Sequence, residues 1–319
     1  MNKMNKMNKM NIVNMNNIIV KKYIKNKNKV NICIIIFIII ICIIFYLYYI
    51  NQKESMTTEM INLNIFIEPF IGGYFACCAH ILHKIIEYFN NNKKLPLSVD
   101  SSQQFGLYKP SWINDDITYH FLKKRDEINI TYIENIHYTK DFQFQKYNDI
   151  NYSVLNPFIE KYFSPAQEIV DIENNLIKKY NINIIEYCAV YYRGTDKKAE
   201  TTIGSFDTYI DKINELLNTE KNIKFIIQSD NQNFIDTIKS KFTNTISFDE
   251  NVASYTDNGI HNENTADDNY IIMKNFLAII YIMSKCKYII CSSGNCSIWM
   301  MYFRGNANNV KQFLNNQWY

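Results

Sequence analysis

Cys188-Ala-Val-Tyr-Tyr-Arg193-Gly-Thr-Asp196-Lys197-Lys-Ala-Glu200 reads as a β-strand that runs directly into charge. Tyr187, Val190, Tyr191 and Tyr192 are strand formers, and Gly194 breaks the run. A strand ending this way places its charges at the carboxyl edge of a sheet, where open α/β folds bind their ligands. Arg193 falls on the rigid strand end. Its planar guanidinium can hold a phosphate with two hydrogen bonds and stays charged in any environment. The competing structural reading for Arg193 is a strand-end salt bridge to Asp196.

The pattern continues on both sides of this stretch. A helix is expected over Phe206–Leu217, a strand over Ile223–Gln228 ending at Ser229-Asp230, a helix over Phe234–Phe242 and a short strand over Thr245–Phe248. After a polar loop at 249–268 come an apolar helix, Tyr270–Ser284, and a strand, Lys287–Cys291. The turn Ser292-Ser-Gly-Asn-Cys-Ser297 then opens a last helix at Ile298–Phe303. Upstream, Ile61–Ile67 alternates like a strand, Gly72-Gly73 makes a turn, and Tyr74–Asn90 has helical spacing. Leu95–Val99 is the next expected strand, residues 100–156 are irregular, and Pro157 and Pro165 bracket an expected linker before a helix at Ala166–Tyr180. Alternating strands and helices imply parallel sheets. The expected fold is α/β, two Rossmann-like halves with a cleft, as in GT-B-like glycosyltransferases. The boundaries are 61–156 for an N-terminal, acceptor-side half and 157–319 for a C-terminal, nucleotide-sugar-binding half.

The formal charge of +3 is unevenly placed. Residues 1–30 hold eight lysines and no acid, and Met1–Met10 is a tandem Met-Asn-Lys repeat. No sustained basic stripe follows residue 50, which argues against a nucleic-acid partner. Ile32–Ile50 is a run of nineteen residues without a charge, ending in Tyr46, Tyr48 and Tyr49. At ~1.5 Å per residue it just spans a bilayer core of ~30 Å. The expectation is a basic cytoplasmic tail (1–29), a transmembrane signal anchor (30–50) and a stem (51–60). This is a single-pass type II membrane protein of a Golgi-like secretory compartment with its catalytic part lumenal. Cys77, Cys78, Cys188, Cys286, Cys291 and Cys296 lie beyond the anchor, match no zinc spacing, and read mostly as small buried thiols. Sequons occur at Asn129, Asn151 and Asn295.

In sugar transfer from a nucleotide, a cation steadies the departing diphosphate and a carboxylate takes the proton of the acceptor hydroxyl. Lys197 and Glu200, three residues apart beyond Arg193, have these two chemistries; a solvated loop pair is the alternative. Ser292 and Ser293 precede a helix start, where backbone N–H groups and hydroxyls can receive an anion or simply cap the helix. His261 lies in the polar loop as Gly-Ile-His-Asn. The chain contains no Asp-x-Asp motif. With an arginine available to neutralise the diphosphate, the reading is a metal-independent reaction with no cofactor besides the sugar donor.

Tyr-Tyr-Arg193-Gly-Thr-Asp-Lys197 resembles the His-x-Arg-x-Thr/Gly-Asp segment of the fucosyltransferase superfamily. That group spans α-1,6-fucosyltransferases, nodulation fucosyltransferases and, more remotely, protein O-fucosyltransferases. The resemblance runs from Pro157 to about Trp299. It takes in Lys161-Tyr-Phe-Ser-Pro165, Gln228-Ser-Asp230, Gly259-Ile-His-Asn262 and Met283–Ser292. It implies GDP-fucose as donor, a glycan or glycoprotein acceptor, and inversion at the fucose carbon. Arg193 would grip the diphosphate, Lys197 would assist the leaving group and Glu200 would be the base. Tyr191, Asp230, His261, Ser292 and Ser293 would line the donor site. Tyr191 stands where the family has histidine, Gly194 where the α-1,6 branch has a second arginine, and Phe276–Ile282 lacks that branch's aspartate. These departures leave room for another nucleotide sugar on the same fold, or for a non-catalytic glycan-binding relative.

Overall fold

The computed structural model describes residues 20–26, 29, 35–53, 64–124, 134–195, 201–256 and 264–319. The chain divides into two compact units, Met1–Leu63 and Asn64–Tyr319. In the first unit, helix α1 (Ile35–Lys53) has a mean hydropathy of 2.3, and none of that stretch is buried inside the protein. By length and composition it can cross a membrane.

The second unit is a mixed α/β structure. A two-stranded parallel pair, β1 (Asn64–Phe66) and β2 (Ser98–Asp100), is connected through α2 (Tyr74–Asn92). The short α3 (Thr118–Phe121) leads to α4 (Tyr152–Tyr162) and α5 (Gln167–Lys179). The main sheet follows: β3 (Tyr187–Tyr192), α6 (Phe206–Thr219), β4 (Lys224–Ser229), α7 (Gln232–Lys241) and β5 (Thr245–Ile246). Then come α8 (Ala266–Ser284), β6 (Tyr288–Ser292), α9 (Asn295–Arg304), β7 (Val310–Leu314) and β8 (Gln317–Trp318). The strand order is β5-β4-β3-β6-β7-β8, parallel throughout except for β8 against β7.

All six residues of β3 are buried, and they alternate between two cores. Tyr187, Ala189 and Tyr191 join the core with α5, α8 and α9, while Cys188, Val190 and Tyr192 join α6 and α7. A strand covered on both faces needs no polar side, which is why it reads as a continuous apolar run. The first core also takes in Ile67 and the apolar face of α2. Trp299 on α9 is fully buried, with Phe75 of α2 stacked on it at 5.9 Å and Phe163 at 4.7 Å.

Two expectations need correction, and one feature of the sheet is additional. The linker bracketed by Pro157 and Pro165 is largely helix: α4 runs through Pro157. Proline removes one backbone bond, but Leu155, Phe158 and Ile159 are buried on the helix face, and tertiary packing outweighs the local preference. Helix α8 begins at Ala266, inside the expected polar loop, because Thr265 and Asp268 form a capping box. The C-terminal strands β7 and β8, which extend the sheet beyond β6, were not foreseen.

Candidate functional site

From β3 the chain winds outward to β4 and β5, then returns through α8 to place β6 on the opposite side of β3. This reversal opens a crevice beyond the carboxyl ends of β3 and β6, the ligand position of open α/β sheets. A cavity of about 360 Å³ lies there, within the size range of small-molecule sites. Its floor is Tyr191 and Arg193 from β3, Gln228 to Asp230 from β4, and Ser292 to Gly294 from β6. Its roof is Gly72 to Phe75 at the start of α2, Tyr108, and Asn269, Met273 and Phe276 on α8.

Arg193 is held by Asp230: Nε lies 3.0 Å from Asp230 Oδ2. Asp196, the alternative partner, lies outside the described residues. The same carboxylate accepts the Gly194 amide at 2.8 Å and the Thr195 hydroxyl at 2.7 Å. Asp230 is only 9% exposed, so a buried carboxylate on the neighbouring strand fixes the first three residues of the loop. Gly194 has a local reason to be glycine. A Cβ there would overlap the ring of Tyr192, which stacks on Phe234 at 4.4 Å.

Two helix N-termini meet the cavity, those of α2 and α9, and neither has a side-chain cap. Their N-cap residues are Gly73 and Gly294, the latter with φ 152°. Uncapped helix starts direct backbone N–H groups and the positive end of the dipole at whatever sits before them. Among the described charged groups at the cavity, Arg193 is balanced by Asp230, and Glu250 is bonded to Lys179 at 2.8 Å and Tyr180 at 2.9 Å. Burial pushes the Glu250 carboxyl up, but the bonds to Lys179, its own backbone and Tyr180 outweigh it and hold it below the usual value. Burial, the first cause, raises the Tyr191 hydroxyl well above its ordinary range, against the lowering pull of Arg193. Burial also raises Tyr108. Both phenols therefore stay protonated, as hydrogen-bond partners rather than bases.

The expected serines are brought to the cavity, with their hydroxyls engaged differently. Ser293 Oγ donates to Phe313 O at 2.8 Å and accepts from Gln312 Nε2 at 2.8 Å. Ser292 is buried, and its hydroxyl has no hydrogen bond of good geometry among the described residues. Arg193, Tyr191, Asp230, Ser292 and Ser293 thus meet at one cavity. Lys197, Glu200 and His261 lie outside the described residues.

Sequence reasoning missed the supports of this turn. Buried Gln312 accepts the Tyr147 amide at 2.8 Å and donates to Gln145 O at 2.8 Å. The Tyr147 hydroxyl accepts the Gly294 amide at 3.2 Å. No local motif marks a glutamine on an edge-ward strand. It also missed Tyr108, Asn251 and Asn269 in the cavity wall, of which the two asparagines stand at the borders of the polar loop. Asn295, a sequon residue, also lines the cavity, whereas Asn151 is exposed.

No protein-family model matches the chain, and no curated protein matches it. Among solved structures it is similar to NodZ alpha-1,6-fucosyltransferase co-crystallised with GDP, at 11% identity and a TM-score of 0.36, covering 51% of this chain and 49% of that one. The same enzyme soaked with GDP-fucose gives 12% identity and a TM-score of 0.36, over 52% and 51%. A mutant of Arabidopsis thaliana FUT1 in complex with GDP gives 13% and 0.33, over 50% and 35%. The chain spans about half, or less, of the length of these structures.

Proposed function

We propose that this chain is an inverting, metal-independent glycosyltransferase whose donor is a nucleoside-diphosphate sugar, with GDP-fucose the donor that the sequence resemblance favours. One observation carries the reading: Arg193, locked by Asp230, meets two uncapped helix starts at a cavity on the sheet's switch point. That arrangement suits a diphosphate, because guanidinium and backbone N–H groups both strengthen their hold as negative charge builds on the leaving oxygen.

In the reaction, an acceptor hydroxyl attacks the anomeric carbon from the face opposite the diphosphate. The bond from that carbon to the phosphate oxygen breaks, and the electron pair departs with the nucleoside diphosphate. A carboxylate, assigned to Glu200, takes the hydroxyl proton, and Lys197 assists the leaving group. Tyr191 and His261 are placed by the reading against the nucleoside. Helix α1 serves as the membrane anchor of a type II protein with the Asn64–Tyr319 unit lumenal, and the acceptor is a glycan or glycoprotein. The division into an acceptor-side half and a nucleotide half belongs to the same reading.

The test is turnover by the full chain in detergent and EDTA with GDP-fucose, GDP-mannose and UDP-sugars offered separately. The expected result is hydrolysis or transfer from GDP-fucose without added metal. Turnover of a UDP-sugar alone shifts the donor to the second reading, and absolute dependence on a divalent ion overturns the mechanism.

A further inference from the structure

Of the three tryptophans, Trp299 is buried and Trp318 half-buried, whereas Trp112 is 61% exposed. A single exposed apolar residue is ordinary, but this one is rigidly mounted. Ile113 N donates to Pro110 O at 3.1 Å, closing a turn around Trp112, and Ile113 is buried. Lys109 Nζ donates to Asp115 O at 2.9 Å. The indole meets the Tyr270 ring edge to face, with centroids 5.6 Å apart at 88°.

Tyr270 is itself fixed. Its hydroxyl lies 2.9 Å from His120 Nδ1, and His120 Nε2 lies 3.3 Å from both oxygens of Asp115. Lys274 Nζ stands 4.1 Å over the Tyr270 ring. The Asp115 carboxylate remains 75% exposed beside this platform. Tyr108 and Asn269 line the cavity, Asn269 precedes Tyr270 on α8, and Asn269 Nδ2 ties α8 to the loop by donating to Leu107 O at 3.1 Å.

We propose that Trp112, with Asp115 and His120 alongside, is an acceptor subsite that stacks a pyranose ring of a neutral glycan. The assignment rests on the glycosyltransferase reading. A flat, solvent-facing indole suits the C–H face of a sugar, since the ring presents a large surface at little entropic cost. Ring hydroxyls can donate to the adjacent carboxylate, which His120 holds in place. The exposed carboxylate disfavours the other occupants of an aromatic platform, an anionic lipid surface or a second phosphate. Tyr270 follows the cavity-lining Asn269 on α8, so the subsite stands one residue along that helix from the cavity wall.

The test uses the full chain in detergent on an array of neutral oligosaccharides, without nucleotide, alongside a separate GDP-binding measurement. Trp112→Ala is expected to lower array binding at least tenfold and Trp112→Tyr to retain most of it. Unaltered GDP binding by Trp112→Ala shows that the variant is folded. Equal array binding by wild type and Trp112→Ala overturns the proposal, as does wild type binding no oligosaccharide at millimolar concentration. A Trp112→Ala defect confined to anionic lipid vesicles overturns it too. Failure of wild type to bind GDP while glycan binding still depends on Trp112 would instead sink the transferase reading.

Discussion

Asp230 gathers the Arg193 Nε, the Gly194 amide and the Thr195 hydroxyl onto two oxygens, so the direction of the arginine is set from the next strand. A guanidinium that is only 21% exposed loses much of its hydration, and the paired carboxylate offsets that loss. Removing the carboxylate leaves a partly buried cation and an orphaned amide. Asp230→Ala should therefore cost about 3 kcal/mol of stability. It should also weaken GDP binding at least tenfold, while Asp230→Asn, which keeps one acceptor, should fall between. Urea unfolding and calorimetric titration read the two effects separately. Lost stability with fully retained GDP affinity in the folded Asp230→Ala protein would show that Asp230 does not aim Arg193 at a ligand. Gly194 belongs to the same argument, since the buried Tyr192 ring occupies the space of any side chain there.

At the scale of elements, α8 carries Asn269, Met273 and Phe276 into the cavity, and its start is held by the reciprocal bonds of Thr265 and Asp268. Thr265→Ala should lower stability by about 1 kcal/mol, and proteolysis near residue 265 should rise without a change at the far end of the helix. Unchanged stability would contradict the cap's role. This helix also shows where the sequence was legible and where it was not. Its apolar part from Tyr270 was evident, but Asp267, Asp268 and Asn269 resemble loop, and only the Thr265-to-Asp268 spacing betrays the cap. The strands β3, β4 and β6 were legible because burial on both faces leaves long runs of β-branched and aromatic residues. Helix α4 was hidden by Pro157, whose unfavourable local preference is overruled by the buried side chains around it. Arg193 was found from sequence, but its bond to Asp230 was not, because only the parallel pairing of β3 with β4 brings the end of the next strand beside it.

Over the whole molecule, the returning connection through α8 gives the sheet a reversal of direction, and the site follows from it. Arg193, the serine turn and the start of α2 are remote in sequence and meet only because β6 lies beside β3 and α2 packs against α9 through Phe75 and Trp299. The apolar helix α1 precedes this unit and is long and apolar enough to cross a membrane. The proposed function requires that the cavity grip a nucleoside diphosphate through Arg193 without a metal. Its most direct test is calorimetric titration of GDP into the full chain in detergent with EDTA, comparing wild type, Arg193→Lys and Arg193→Ala. Charged hydrogen bonds contribute roughly 1.5–3 kcal/mol, so Arg193→Ala should weaken binding about 10- to 100-fold, and Arg193→Lys should recover only part because it lacks the two-pronged geometry. GDP binding by Arg193→Ala at wild-type affinity would contradict the account.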